Sequence, residues 1–495
     1  MHRSLARLAV LLAVTSLVLG ACGGAASPSP SASAAAVASA SPSAASQGPS
    51  VPPTVPPGGP VQIKWFCCLG GGDDQLKTFD KVIKSFNASH PNIKLVLDHV
   101  AYSGARDAFA TRLASGNPPD IVGPLGVGGA HAFEGQWLDL QPYIEKNKID
   151  TSGFDPTLLN LYKEDAGTLG IPFAIYPSEL YYQPDMFDAS DLEYPPATYG
   201  EQYKKADGST VEWNYDTLRD VAMQLTIDKA GKNATESGFD PKTMVQAGFE
   251  PQRDDLRTMG AAYFAAGKFL SDDGKTVQIP DAWAAAWKWI YDGMWKDHFI
   301  LTGPQYNSQG FNGGGYAFNS GKVAMQENFL WNVCCVTEAG GNWNLGALPS
   351  YNGKATVPMN ADSFRITKNS KHPDEAFTAL QYLILGEGHT DLLNSISGFP
   401  ALKSEQGSFF QQLEQQKDDK GKLIYPAGIN WDVVTAGIPN ADVDPNSEAF
   451  MPNYNKSLDV LGKYNTRWQS TPGLNMDTEL ANLKSELQKV WNAAG

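Results

Sequence analysis

The sequence is poor in the residues that metal sites and many catalytic centres use. Its 495 residues include five cysteines and seven histidines, and the histidines show no metal-ligand spacing. No His-Glu-x-x-His, Gly-x-Ser-x-Gly or Gly-x-x-x-x-Gly-Lys-Ser/Thr segment occurs. Asp73 and Asp74 are neighbours whose side chains point apart, so we interpret them as the start of a helix and not as a catalytic pair. The sequence predicts no enzyme activity, no catalytic residue, no metal and no cofactor.

Positive charge is also scarce. Lys and Arg number 38 against 53 Asp and Glu, which gives a net charge of −15 at pH 7. Nucleic acids and anionic membrane surfaces are poor partners for a protein of this charge. We therefore expect no nucleic-acid partner, and we interpret the acidity as that of a soluble surface that keeps the protein monomeric.

No apolar segment reaches the length of about 20 residues that a membrane-spanning helix requires. The apolar run from Leu8 to Leu19 follows two arginines and precedes small residues, which is typical of a secretory signal. Its end, Leu-Gly-Ala-Cys22, resembles the bacterial lipobox, which implies removal of residues 1–21 and a lipid on Cys22. The alternative is an ordinary cleaved secretory peptide. We expect the lipid on Cys22 to be the membrane attachment and the protein to be extracytoplasmic.

Residues 22–60 are rich in Ala, Ser and Pro, and no charged residue lies between Cys22 and Lys64. A segment of this composition buries too little apolar surface to fold, so we interpret it as a flexible tether. The globular part of the protein therefore begins near Val61.

The pattern of apolar residues after Val61 predicts a β-α-β unit. Residues 61–66 read as a strand, residues 75–90 have helical spacing, residues 92–100 read as a strand, and Ile121-Val122 form a third. Parallel sheets of this kind bind ligands beyond the carboxyl ends of their strands. The segments that begin at Cys67 and Pro124 occupy such positions, so we expect both to face one crevice.

Several segments carry a resemblance to a known family, in the same order along the chain: SFNASHPNIKLVLDHVAY, ASGNPPDIV, FEGQWLDLQPYI, GTLGIPFAIYPSELYYQPDMF, GGYAFNSGKVAMQENFLW, LGALPSYNGKATVPMNADSFRITKNSKHPDEAFTALQYLI and GFPALKSE. Together they resemble family 1 extracellular solute-binding proteins, the binding lipoproteins of bacterial carbohydrate ABC importers, to which maltose-binding protein is distantly related. The resemblance extends over nearly all of residues 61–495.

The resemblance implies a periplasmic-binding-protein-like α/β fold with two lobes, a three-crossing hinge and a ligand cleft between the lobes. We place the crossings near Pro172, near residues 347–349 and near residues 401–402. Lobe one would comprise residues 61–172 and 346–402, and lobe two residues 173–345 and 403–495. The function implied is capture of a sugar or oligosaccharide by hinge closure and its delivery to the membrane subunits of an ABC importer. Another small solute, such as a polyol, glycerophosphodiester or peptide, is an alternative, and a secreted glycan-degrading enzyme is a further one.

The resemblance also implies ligand contacts. The family has a contact just before the Leu-Tyr-Tyr strand, which corresponds to Tyr176 and Ser178, whereas Tyr181 and Tyr182 fit the strand core. The loop after Gly248 carries contacts over to Glu250, Gln252 and Arg253, with a solvated loop charge as the alternative, and Trp331 matches a stacking tryptophan. The complete set of candidate ligand-binding residues is Cys67, Cys68, Leu125, Tyr176, Ser178, Glu250, Gln252, Arg253, Trp331, Cys334, Cys335, Asp362, Ser363 and Phe450.

The four cysteines other than Cys22 form two adjacent pairs, Cys67-Cys68 and Cys334-Cys335. An oxidising compartment favours disulfides. Two bonds within the pairs would be strained, because adjacent Cα atoms are only ~3.8 Å apart. We predict these vicinal bonds, each as a rigid plate against the ligand; free thiols, bonds between the two pairs and a metal site are the alternatives.

Overall fold

The computed structural model describes residues 58–67, 73–126, 129–130, 132–253, 256, 259, 264, 269–312, 316–336, 342–396, 398–417, 420–441 and 451–493. For residues 73, 74, 102, 103, 157, 334 and 335 it describes the backbone alone.

The strands are β1 Val61–Cys67, β2 Ile93–His99, β3 Ile121–Gly126, β4 Lys163–Glu164, β5 Gly167–Thr168, β6 Ile171–Tyr182, β7 Tyr203–Lys204, β8 Thr210–Val211, β9 Ile227–Asp228, β10 Met244–Glu250, β11 Val323–Phe329, β12 Asn344–Gly346, β13 Ser350–Tyr351, β14 Lys354–Ala355, β15 Met359–Ile366 and β16 Phe399–Pro400.

The α-helices are α1 Asp73–Ser89, α2 Tyr102–Ala114, α3 Gln141–Lys146, α4 Pro156–Asn160, α5 Pro184–Asp188, α6 Tyr215–Leu225, α7 Asp281–Trp295, α8 Gly303–Tyr306, α9 Val333–Val336, α10 Pro373–Leu385, α11 His389–Ser395, α12 Lys403–Gln415, α13 Asp432–Gly437, α14 Tyr454–Ser470 and α15 Met476–Asn492.

The β-α-β unit predicted after Val61 is confirmed. β1 pairs in parallel with β2 from Val61 opposite Ile93 onward, and Trp65 of β1 lies opposite Ile121 of β3. α1 connects β1 and β2, and its helical spacing buries Phe79, Val82 and Phe86 against the sheet. The three strand ends therefore lie at one edge of a parallel segment.

A large mixed sheet runs in the order β2-β1-β3-β15-β6-β11-β10-β9, with β12 and β16 pairing additionally with β6. All twelve residues of β6 are buried. Its first part, through Pro177, pairs with β15, and its last part, from Ser178, pairs with β11. Because β6 is shared in this way, residues near its middle are adjacent to both halves of the sheet.

Two large apolar clusters pack against this sheet, and a smaller one lies beside β1 and β3. One face of α7 belongs to this core, since Trp283, Trp287, Ile290 and Met294 are all buried. Gly248 of β10 is required for close packing there, because a Cβ at this residue would lie 1.8 Å from the carbonyl oxygen of Ala222 on α6. Among the described helices, none combines the length and the apolar content that crossing a bilayer demands.

Candidate ligand-binding site

Tyr176 and Asp362 meet near the middle of the sheet. Tyr176 lies opposite Asn360 in the pairing of β6 with β15, and its hydroxyl donates a hydrogen bond of 3.4 Å to Asp362 Oδ2. Both residues are almost enclosed, with 4% of Tyr176 and 8% of Asp362 exposed. Burial raises the pKa of Asp362 to about 7, and the hydrogen bond from Tyr176 opposes this shift. The carboxyl group of Asp362 therefore changes its charge close to neutral pH.

An irregularity in strand pairing separates Asp362 from Ser363. The register of β15 with β6 shifts between these two residues, and the register with β3 shifts immediately after Ser363. Bulges of this kind redirect side chains. Ser363 is fully buried, and its Oγ has no hydrogen-bond partner among the described residues. A Cβ at Gly170 would lie 3.0 Å from that oxygen, so the glycine leaves room beside Ser363.

Three aromatic side chains form one contiguous group that reaches Asp362 through the Tyr176 hydroxyl, and we call Tyr176, Phe329 and Trp331 the aromatic wall. The ring centroids of Tyr176 and Trp331 are 5.4 Å apart, and those of Phe329 and Trp331 are 4.4 Å apart. The indole N–H of Trp331 donates to the hydroxyl of Tyr316 at 3.2 Å, which fixes the ring orientation. Trp331 is only partly buried, unlike its two neighbours. Trp331 contacts Tyr176, and the Tyr176 hydroxyl bonds the Asp362 carboxyl group, so an apolar ring surface and a polar group belong to one connected set. Such a combination is suited to a sugar ring, which has an apolar face and polar edges.

Ser178 follows Tyr176 by two residues on the same face of β6. Its Oγ donates to Glu327 Oε1 at 3.3 Å, and its backbone N–H donates to the carbonyl oxygen of Pro358 at 2.8 Å. Ser178 and Glu327 are both almost completely buried. The structure therefore brings Tyr176, Ser178, Trp331 and Asp362 into one neighbourhood, with Ser178 the most enclosed by protein.

Glu250, Gln252 and Arg253 lie at the end of β10 and just beyond it. The Arg253 guanidinium donates to the Glu250 carboxylate and to the carbonyl oxygen of Leu301, and its Nη1 donates to Gln469 Oε1 at 2.8 Å. Only 7% of the Arg253 side chain is exposed. The arginine is thus held by three separate segments, and it is not a solvated loop charge. Gln252 is also buried.

Arg365 forms a second buried ion pair, on β15 beyond Ser363. Its Nη1 donates to Glu164 Oε1 at 3.1 Å, and its guanidinium carbon lies 5.6 Å from the ring centroid of Trp137. Tyr162 lies on another side of the guanidinium, with its ring centroid 5.9 Å away. Arg365 is fully buried. Each of the two arginines, Arg253 and Arg365, therefore has its own carboxylate.

Glu179, unlike Glu250 and Glu164, is a buried carboxyl group without a paired cation among the described residues. It lies between Ser178 and Leu180 on β6, is fully buried, and neither carboxyl oxygen has a hydrogen-bond partner among the described residues. Burial raises its pKa well above the ordinary range of a glutamate. Burial therefore favours the protonated, uncharged form of this carboxyl group.

The remaining predicted residues divide into two groups. Leu125 packs in the small apolar cluster with Val122 and Trp137, and Cys67 is fully buried at the end of β1. Cys68 and Phe450 lie outside the described residues, and α9 contains Cys334 and Cys335 as backbone only. Their contacts with ligand and the pairing of the cysteines stay predictions, as does the lipid on Cys22, which also lies outside the described residues.

Sequence reasoning missed Phe329, Tyr316 and Glu327, which contact the predicted residues. Phe329 and Glu327 belong to a strand, β11, that is buried throughout, so the sequence showed no alternation to mark the inward side chains. Among the described residues, no group of three or more His, Cys, Asp or Glu side chains is arranged to hold a metal ion.

The family model for bacterial extracellular solute-binding proteins matches residues 81–417. The chain is a bacterial extracellular solute-binding protein. The family description and the names of the solved relatives are those of binding proteins, and one of these structures is named as an ABC substrate-binding protein.

Two curated relatives are similar in sequence to this solute-binding protein. A binding protein of Brucella abortus is 24% identical over 338 residues, which are 66% of this chain and 73% of that protein. A lipoprotein of Streptomyces antibioticus is 20% identical over 339 residues, which are 66% of this chain and 67% of that protein.

Solved structures confirm the predicted periplasmic-binding-protein-like α/β fold. An ABC substrate-binding protein of Listeria monocytogenes in complex with cycloalternan has a TM-score of 0.63 at 16% identity, covering 88% of this solute-binding protein and 99% of its own chain. The sugar-binding protein MalE of Xanthomonas citri has a TM-score of 0.64 at 16% identity, covering 88% and 98%.

Proposed function

We propose that this solute-binding protein captures a sugar or oligosaccharide outside the cytoplasm and delivers it to an ABC importer. The observation that carries the proposal is the partly exposed Trp331 of the aromatic wall beside the Tyr176–Asp362 pair. Trp331 offers a flat apolar surface, and Asp362 offers carboxyl oxygens for hydroxyl donors. The solved relatives named for cycloalternan and for sugar binding support the same ligand class.

We further propose that capture proceeds by closure of the two lobes defined by residues 61–172 with 346–402 and residues 173–345 with 403–495. The shared strand β6 supports this proposal, since its two parts pair with different neighbours, β15 and β11. Hinge closure around ligand is a known transition of two-lobed proteins. Small-angle scattering with saturating ligand should show a smaller radius of gyration than without it. Identical profiles would contradict closure.

Attachment through a lipid on Cys22 also belongs to the proposal. The lipobox-like end of the signal and the uncharged tether of residues 22–60 support it, as does the relative named a lipoprotein. Mass spectrometry of the amino-terminal peptide should find an acylated Cys22, and an unmodified residue 22 in a cleaved protein would contradict lipidation.

A carbohydrate panel read by thermal shift tests the function itself. A ligand that binds the native state raises the unfolding midpoint by mass action, and each hit is then measured by calorimetry.

Trp331→Ala should weaken binding about 5- to 100-fold while the fold persists. Trp295→Ala is the matched control, because Trp295 is also partly buried but lies on α7, where its indole bonds the Trp468 carbonyl oxygen. If no carbohydrate shifts the midpoint and a polyol, glycerophosphodiester or peptide does, the sugar proposal fails.

A further inference from the structure

The buried charges around the candidate site do not balance. Arg253 is paired with Glu250, and Arg365 is paired with Glu164. Asp362 has the Tyr176 hydroxyl as its hydrogen-bond donor, and no Lys, Arg or His side chain forms an ion pair with it in the described part of the chain. A carboxylate enclosed to this degree is unfavourable unless a positive charge lies close by.

The elements packed against Asp362 supply no such charge. On β3 it faces Gly126, where a Cβ would lie 3.5 Å from Asp362 Oδ1, and on β6 it faces Ala174 and Tyr176. Among the described residues, Tyr162 is a further titratable neighbour: burial raises the pKa of Tyr162, and the field of Asp362 adds to that shift. Tyr162 and Tyr176 are neutral at physiological pH. The described surroundings of Asp362 therefore contain aromatic rings and hydroxyl groups and no cation.

We propose that the solute is a sugar bearing a protonated amine, whose ammonium group pairs with Asp362 while its ring stacks on Trp331. This inference rests on the proposed sugar-binding function and narrows it to amino sugars. An ammonium group satisfies two features of the site at once, because it neutralises the carboxylate and is attracted to the faces of aromatic rings. A hydroxyl group at the same position brings a hydrogen bond and no charge. A uronic acid would place a second negative charge beside Asp362.

The raised pKa of Asp362 adds a signature that a neutral sugar would not produce. Near pH 7 much of the empty site holds a proton on Asp362, since burial raises the pKa of this group to about 7. An arriving ammonium group favours the ionised carboxylate, so binding releases that proton. Affinity for an amino sugar should therefore increase as pH rises towards 7, by at most about tenfold per pH unit. A neutral sugar that accepts the Asp362 proton would show the opposite trend.

Matched sugars that differ only at carbon 2 test the inference. The purified full chain is titrated calorimetrically with the β-1,4-linked disaccharides of glucosamine, N-acetylglucosamine and glucose. The same three substituents at carbon 2, the amine, the acetylated amine and the hydroxyl, are then compared in the corresponding galacto- and manno-configured disaccharides. We expect the amine of at least one set to bind about tenfold or more tighter than its acetylated and hydroxyl counterparts. Titration in two buffers of different ionisation enthalpy should detect proton release with the amine.

Asp362→Asn removes the charge with little change of shape. We expect this variant to lose the preference for the amine and the proton release, and to keep binding through the aromatic wall. Asp374→Asn is the matched control, because Asp374 is an exposed carboxylate paired with Lys146 on the surface. It should leave both the preference and the proton release unchanged.

The outcomes distinguish failure of the amino-sugar inference from failure of the proposed sugar-binding function. If neutral or acetylated sugars bind as tightly as the amines, or if Asp362→Asn keeps the preference, the amino-sugar inference is overturned while sugar binding stands. If sugars outside the matched sets bind and no amine does, the inference is overturned in the same way. If no sugar of any kind binds, the proposed function itself fails.

Discussion

Arg253 and Asp362 are both buried ionisable side chains beside the large sheet, yet their surroundings differ in kind. Arg253 donates to Glu250, Gln469 and the Leu301 carbonyl oxygen, and its guanidinium carbon lies 4.7 Å from the ring centroid of Tyr306. Among the described residues, Asp362 has one long side-chain hydrogen bond, from Tyr176. Because the hydrogen-bond donors of Arg253 are used within the protein, Arg253 is suited to stabilising the fold. Because Asp362 can accept more hydrogen bonds than it receives from the described residues, Asp362 is suited to binding a ligand.

The largest expected effect tests whether Arg253 stabilises the fold. Arg253→Ala removes the cation and leaves Glu250 buried and uncompensated, so we expect the free energy of unfolding to fall by about 3–5 kcal/mol. Urea denaturation measures this. Lys463→Ala is the control, because Lys463 and Glu486 form an exposed pair whose loss should leave stability nearly unchanged. If Arg253→Ala keeps the stability of the wild type and loses sugar binding, Arg253 contributes to the ligand site and not to the stability of the fold.

A second test concerns Glu179, which lacks any described partner. Its pKa in the folded state is raised, so the folded protein holds a proton that the unfolded chain releases above pH 4.5. Stability should therefore fall as pH rises above that value, and Glu179→Gln, which has no ionisable group, should raise the free energy of unfolding at pH 7. The comparison is Glu479, whose hydrogen bonds with Arg467 lower its pKa. Glu479→Gln should instead reduce stability above pH 4.5, and equal signs for both variants would contradict the assignment.

Asp362→Asn should increase stability at high pH, although we expect the same variant to lose the preference for an amino sugar. The protonated Asp362 contributes fully below the unfolded pKa of 3.8, and this contribution is lost as pH rises through about 7. The asparagine does not ionise, so at pH 8 we expect it to be more stable than the wild type by about 1–3 kcal/mol. Chemical denaturation at pH 5 and pH 8 measures the difference. A variant that is less stable at pH 8 would mean that a cation already compensates Asp362 in the protein without ligand.

The parts of this molecule that sequence could predict are those with a local signal. Helical spacing predicted α1, and apolar runs predicted β1, β2 and the strand around Ile121. These patterns recur within a few residues, so one segment suffices to read them.

The site could be predicted only in part, because its contacts join distant segments. Tyr176 and Asp362 are separated by 186 residues, and their meeting depends on the pairing register of β15 with β6, which no local pattern indicates. Arg253 likewise resembled a loop charge until Gln469 and Leu301 were brought against it. The family resemblance named Tyr176, Ser178, Trp331 and Asp362, which the structure brings together, but it did not distinguish a side chain that is paired within the protein from one that is not. That these residues bind the ligand stays a prediction.

The smallest expected effect refines the description of Asp362. Tyr176→Phe deletes the one described hydrogen bond to this carboxylate and keeps the ring that contacts Trp331. Since that bond favours the ionised form, its loss should raise the pKa of Asp362 further above its usual value. At 3.4 Å the bond is long, so we expect a change in stability of only about 0.5–1 kcal/mol at pH 8. Carbon-13 NMR titration of the Asp362 carboxyl group measures the shift directly, and Tyr181→Phe is the control, because its hydroxyl bonds the Phe329 carbonyl oxygen instead. An Asp362 pKa that falls in Tyr176→Phe would mean that Tyr176 stabilises the protonated carboxyl group, and that the ionised form has another donor.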